Sequence, residues 1–149
     1  MDMPAPILIP ENAEQVWLGF GASVNIAPAA AAIAAGEPVI FNLAGASGSV
    51  IPFDGGSSTD VAFLGVALNA AASGEEVTVI TRGVATVTKD TGTAWAVGDV
   101  IGAGAAKTAN VYAPDLDGVN VAKQTLGYSL STALSGDTTA VIWVNATGI

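Results

Sequence analysis

Sliding the sequence against itself by 62 positions aligns several separated motifs without a gap. Gly21 falls on Gly83, Gly36 on Gly98, Glu37 on Asp99 and Val39 on Ile101. Leu64-Gly65 meets Leu126-Gly127, Leu68 meets Leu130, Ser73-Gly74-Glu75 meets Ser135-Gly136-Asp137, and Val79-Ile80 meets Val141-Ile142. Solenoids stack many shorter units, so a twofold repeat of this length excludes them. The repeat predicts one domain built of two pseudo-equivalent halves, about 21–82 and 83–144. That single β domain would span 16–149, preceded by an extended N-terminal arm over 1–15.

Each copy runs in the same order. An Ala-rich approach leads to Gly-acid-x-Val/Ile, where glycine permits a turn and β-branched residues open a strand. A variable insert follows, 43–60 in the first copy and 105–123 in the second. Then come Leu-Gly-x-x-Leu, a Ser-Gly-acid turn and an alternating strand, Val77-Thr78-Val79-Ile80-Thr81 or Ala140-Val141-Ile142-Trp143-Val144. Alternation of this kind marks a strand with one buried face, and Val84-Ala85-Thr86-Val87-Thr88 continues it. With 18 Gly and 7 Pro in 149 residues, punctuation is too dense for long helices. The predicted class is therefore all-β, a small β-barrel or sandwich of two pseudo-repeated halves. Alanine-rich 29–35 could still form one helical turn. The arm carries Pro4, Pro6 and Pro10 around Ile7-Leu8-Ile9. It reads as polyproline-like chain, expected to lie on a neighbouring subunit or another protein, with Ile7 and Ile9 on one side as in an added strand. Pro4, Ile7, Leu8 and Ile9 are its candidate partner contacts. The competing reading makes it a first strand closing its own barrel.

The missing residue types narrow the chemistry. No cysteine is present, so disulfides and thiolate metal sites are excluded. No histidine is present either, which removes the usual general base and the commonest transition-metal ligand. The chain is accordingly expected not to be an enzyme and to need no cofactor. Four basic residues, Arg82, Lys89, Lys107 and Lys123, face 13 acidic ones for a formal charge of −9. Nucleic-acid binding needs clustered cations, so no nucleic-acid partner is expected. Met1-Asp2-Met3-Pro4 lacks the positive region of a secretory signal. The uncharged stretch 15–36 is broken by Ser23, Asn25 and Pro28 and is too poor in large aliphatics to span a membrane. A soluble protein made in the cytosol is expected, with no membrane partner.

Several motifs imitate functional sites. Asp115-Leu116-Asp117-Gly118 starts like a calcium loop, but 118–123 adds no further acidic ligand or closing glutamate. Asp54-Gly55-Gly56-Ser57-Ser58-Thr59-Asp60 lacks the Gly-Lys-Ser/Thr of a phosphate loop. Glu75-Glu76 has the carboxylates of a glycosidase pair, yet sits just after a Ser-Gly turn and reads as a solvated bend. Gly19-Phe20-Gly21-Ala22-Ser23 and Gly45-Ala46-Ser47-Gly48-Ser49 resemble nucleophile elbows with no histidine to activate the serine. Trp17, Trp95 and Trp143 could stack on sugars, but tryptophan in a chain with 6% aromatics is better spent in a core or subunit interface. Trp95 falls on Ile33 at the repeat offset, as a buried position would.

Two stretches carry a family resemblance: 64–79, beginning Leu64-Gly65-Val66-Ala67-Leu68, and Arg82-Gly83-Val84-Ala85-Thr86-Val87. With Ala96-Val97-Gly98-Asp99-Val100-Ile101, Leu126-Gly127-Tyr128-Ser129-Leu130 and Val141-Ile142-Trp143-Val144, they resemble the small capsid decoration, or cement, proteins of tailed phages. The shared rhythm is a small residue, Gly and an acid before each strand, and a Leu-Gly strand between them. The resemblance covers about 36–145 and leaves the arm outside. It implies a homotrimer on the outer capsid surface at threefold or quasi-threefold positions, assembled in the host cytoplasm. The implied partners are the major capsid protein and other copies of the chain, and the implied role is to stabilise the shell. It implies no catalytic residue. The abundance of small apolar residues also suits apolar surface buried between subunits. A carbohydrate-binding or host-attachment module is the alternative, and would display coplanar exposed aromatics.

Overall fold

The computed structural model describes residues 16–17, 22–42, 44, 48–54, 63–112 and 125–146. Those residues form no helix and ten strands: β1 (Val16–Trp17), β2 (Ser23–Pro28), β3 (Pro38–Phe41), β4 (Val50–Pro52), β5 (Phe63–Ala67), β6 (Glu76–Thr88), β7 (Val100–Ala103), β8 (Ala109–Val111), β9 (Thr125–Ser129) and β10 (Thr139–Asn145). All pair antiparallel. They make one curled half-barrel sheet in the order β4-β3-β5-β6-β10-β9-β7-β8, with β1 and β2 also on β6. The all-β expectation holds.

The sheet repeats itself across β6. On one side lie β4, β3 and β5; on the other, β8, β7 and β9 lead to β10. Pro38, Val39 and Ile40 pair with Val66, Gly65 and Phe63. Val100, Ile101 and Gly102 pair with Tyr128, Gly127 and Thr125, each 62 positions on, with the same bulge after Val39 and Ile101. The 13-residue β6 serves both halves. Its first part pairs with β2 and β5, and its second part takes the place of β2 beside β10. Gly83, at φ 133°, lies where one role gives way to the other.

The ungapped alignment needs one correction. Leu68 N–H donates to Thr78 O, whereas Leu130 N–H donates to Val141 O, so the last strand is offset by one further residue. Val79 therefore corresponds to Ile142, not Val141. The slip preserves packing, because Val77 and Val79 are buried and so are Ala140 and Ile142. A strand shifted by one residue without an insertion would turn those side chains outward.

Four turns explain the small-Gly-acid rhythm. Gly36, Gly74, Gly98 and Gly136 hold φ of 89°, 90°, 91° and 97°, a region that favours glycine. In each turn the acid's N–H donates to the carbonyl three residues back: Ala34, Ala72, Ala96 or Leu134. The acid's carboxylate then accepts the N–H of that same residue. Glu37 to Ala34 measures 3.0 Å, Glu75 to Ala72 2.8 Å, Asp99 to Ala96 2.8 Å and Asp137 to Leu134 2.7 Å. Gly fixes the turn, and the acid closes it.

The helical turn that alanine would allow at 29–35 is not formed. Ala29 N–H donates to Glu75 O, while Ile33 and Ala71 exchange N–H···O bonds at 2.9 Å. Ala29 and Ile33 are buried by this extended path; a helix would spend their amides locally. The first half has its own core of Ala29, Ile33, Val39, Val50, Ala67, Ala71, Val77 and Val79. The larger core joins Trp95, Ile101, Leu126 and Ile142 of the second half to Ile40, Phe63, Val66 and Ile80 of the first.

Candidate interaction surface

The imitators of catalytic sites resolve into structure. Ser23 Oγ lies 2.9 Å from Thr81 Oγ1, and Glu75 closes its turn, with Glu76 exposed at the start of β6. Among the described residues no cluster of three metal-ligating side chains occurs. Residues 19–21, 45–47, 55–60 and 115–118 lie outside the described residues, as do Pro4, Ile7, Leu8 and Ile9. Lys89 is buried, its Nζ donating to Asp90 O at 2.7 Å and standing 5.6 Å from the Trp95 ring centre. Lys107 Nζ lies 4.0 Å from Glu37. Trp95 is itself buried and so is no member of a sugar-stacking platform, whereas Trp143 is half-buried.

The Asp90 carboxylate is held by two backbone donors. Asp90 accepts the Gly92 N–H at 2.8 Å and the Ala105 N–H at 3.2 Å. These bonds, Gly92's first, outweigh a small desolvation and hold the carboxyl below its ordinary value. A lowered folded pKa stabilises above the unfolded value, near 3.9, and that stability is lost as pH falls through the folded pKa. Asp90→Asn should therefore lower Tm at pH 7, and the gap from the parent should close as pH falls below about 4. A gap that stays constant down to pH 2 would contradict this.

What the surface does offer is apolar. Val100, Tyr128 and Leu130 are exposed. Val100 pairs with Tyr128, and Tyr128 with Trp143, so their side chains share a face, which Leu130, two residues on, also joins. An open hollow on this face is lined by Val100, Thr125, Gly127, Tyr128 and Asn145. Val97 and Leu134 are exposed on turns of the same half. A second apolar area is β2, exposed along nearly its whole length, with Val24 and Ile26 uncovered. Sequence reading missed both, because alternation shows which residues share a face but not which face is left bare.

A family model described as phage cement protein matches residues 18–145. The chain belongs to the phage cement protein family. It is thus a structural protein of the phage virion. Among solved structures, the N base of head fiber gp8.5 of bacteriophage phi29 shares the fold, with TM-score 0.54 at 15% identity, over 86% of this chain and 98% of that one. No curated protein sequence matches the chain significantly. The apolar faces therefore belong to a structural protein of the phage virion.

Proposed function

We propose that the chain binds the outer surface of a phage capsid as a homotrimer and stabilises the shell, without catalysing a reaction. The observation that carries this reading is the family match over 18–145. Exposed apolar faces on a chain of formal charge −9 support it, since such patches mark protein-binding surfaces. The major capsid protein is the proposed partner, met after shell assembly in the host cytoplasm.

Purified protein added to shells lacking it should co-sediment with them and raise the temperature at which they release DNA. Free protein at micromolar concentration should scatter light as about three times the 14.6 kDa chain. Failure to co-sediment at any concentration would reject the capsid reading, and a strict monomer would reject the trimer.

The arm, with Pro4, Ile7, Leu8 and Ile9, is proposed as an intermolecular clasp. Its prolines reduce the entropy lost on ordering. Deleting residues 2–10 should leave Tm unchanged while abolishing trimer or shell binding. Loss of folding would instead assign the arm to the domain's own core.

A further inference from the structure

The two halves of the sheet are built alike but covered differently. Val66 of β5 is 0% exposed, and Ile80, Ile40 and Phe63 beside it are buried in the core shared with the second half. Tyr128, the counterpart of Val66, is 49% exposed. Pro38 is buried where Val100 is exposed, and Leu68 is half-buried where Leu130 is exposed. Ile80 is buried where Trp143, its counterpart after the one-residue slip, is only half so. Phe63 fills the place where Thr125 borders the open hollow. The first half's face is thus covered within the chain, and the equivalent face of the second half is bare.

The reverse imbalance occurs at the other end of the repeat. The second part of β6 stands where β2 stands in the first half, and its Ala85 and Val87 are buried. On β2, Asn25 and Ala27 pair with Val79 and Val77 as Ala85 and Val87 pair with Ile142 and Ala140. Yet Asn25 is exposed and Ala27 only half-buried. Leu64 is half-buried, while its counterpart Leu126 is fully buried. Six residues of exposed strand, Ser23–Pro28, carry no charge at all in a strongly acidic chain. Exposed edges are ordinarily guarded by charge.

The motion that carries the first half onto the second also carries the packing between them onto a third half-unit. The chain has no third half, and a second copy supplies it. We infer that the bare face of one copy, Val100, Tyr128, Leu130 and Trp143, seats the β2 region of the next, through the face that carries Asn25, Ala27 and Leu64. Asn25, exposed and the counterpart of buried Ala85, is placed to face Tyr128. The contact is head-to-tail, joining two different surfaces, and closes into a ring when its rotation permits. This rests on the trimer reading above and names the surfaces that make it.

The chain has no cysteine, so introduced thiols are unique. Asn25→Cys and Tyr128→Cys chains, differently tagged and co-expressed, are treated with a short bismaleimide. The expected product is a cross-linked pair carrying one chain of each kind, with neither variant cross-linking when expressed alone. Tyr128→Asp should convert the oligomer to monomer while keeping the parent's β-sheet circular dichroism. An oligomer without mixed cross-links, or one in which a single variant links to itself, overturns the head-to-tail contact and leaves the trimer standing. A parent protein monomeric both free and on shells overturns both.

Discussion

Gly127→Ala should be among the most damaging single substitutions in this chain, and Gly65→Ala its equal in the other half. A Cβ on Gly127 would lie 1.8 Å from the carbonyl oxygen of Trp143, and one on Gly65 1.9 Å from that of Ile80. Both obstacles are backbone in a paired strand, so no rotamer change relieves them. Overpacking a core costs about 1–3 kcal/mol where side chains can yield; here the sheet must part, and at least about 3 kcal/mol is expected. For a chain of this size that lowers Tm by roughly 10 °C. Gly136→Ala gives the contrast. It meets nothing within 4 Å and is opposed only by its φ of 97°, a strain of about 1–2 kcal/mol. Thermal unfolding of the three variants should therefore place Gly127→Ala and Gly65→Ala together, well below Gly136→Ala. If Gly136→Ala proves the worst, the Leu-Gly glycines are not there for close approach.

Those glycines show what was legible in the sequence. Leu64-Gly65 and Leu126-Gly127 stand at a constant offset because each glycine meets the same carbonyl of the neighbouring strand. The turn glycines and their acids keep the same spacing, since the acid must reach the amide three residues back. The offset drifts where chemistry is less demanding. β4 and β8 lie inside the inserts that read as variable, and they pair with β3 and β7 in equivalent fashion. Their positions differ by 59 rather than 62, so an ungapped comparison passes over them. The helical turn left open at 29–35 is absent for a different reason. Alanine's helix preference is a weak prior, and the cross-chain bonds of Ala29 and Ile33 override it. The interaction surface was the least legible part. Val66 and Tyr128 occupy the same place in the motif, and only the packing of one half on the other makes the first core and the second surface.

Trp95→Ala should match the glycine variants in size by the opposite route, a cavity. Trp95 and Ile33 are counterparts, each exchanging backbone bonds with an alanine, Ala133 or Ala71. The second half uses the larger residue because Lys89 is buried beside it, where the first half has Ala29. The indole thus fills volume, presents its face to the Lys89 ammonium, and donates Nε1–H to Asn110 Oδ1 at 3.3 Å. Truncating a buried Trp to Ala costs about 3–5 kcal/mol, and a lost cation–π contact in a dry site adds about 1–2 kcal/mol of coupling. Ile33→Ala, with no ammonium nearby, should cost less, about 2–4 kcal/mol. The coupling is read from a double-mutant cycle with Lys89→Met in denaturant unfolding. Lys89→Met alone removes a buried charge together with its ring contact, two effects that oppose each other, so a small net change is expected. In the Trp95→Ala background it removes a charge that has lost its aromatic partner and should recover part of the stability. Strictly additive effects would mean that the ring and the ammonium are independent, and that volume alone sets tryptophan at this position.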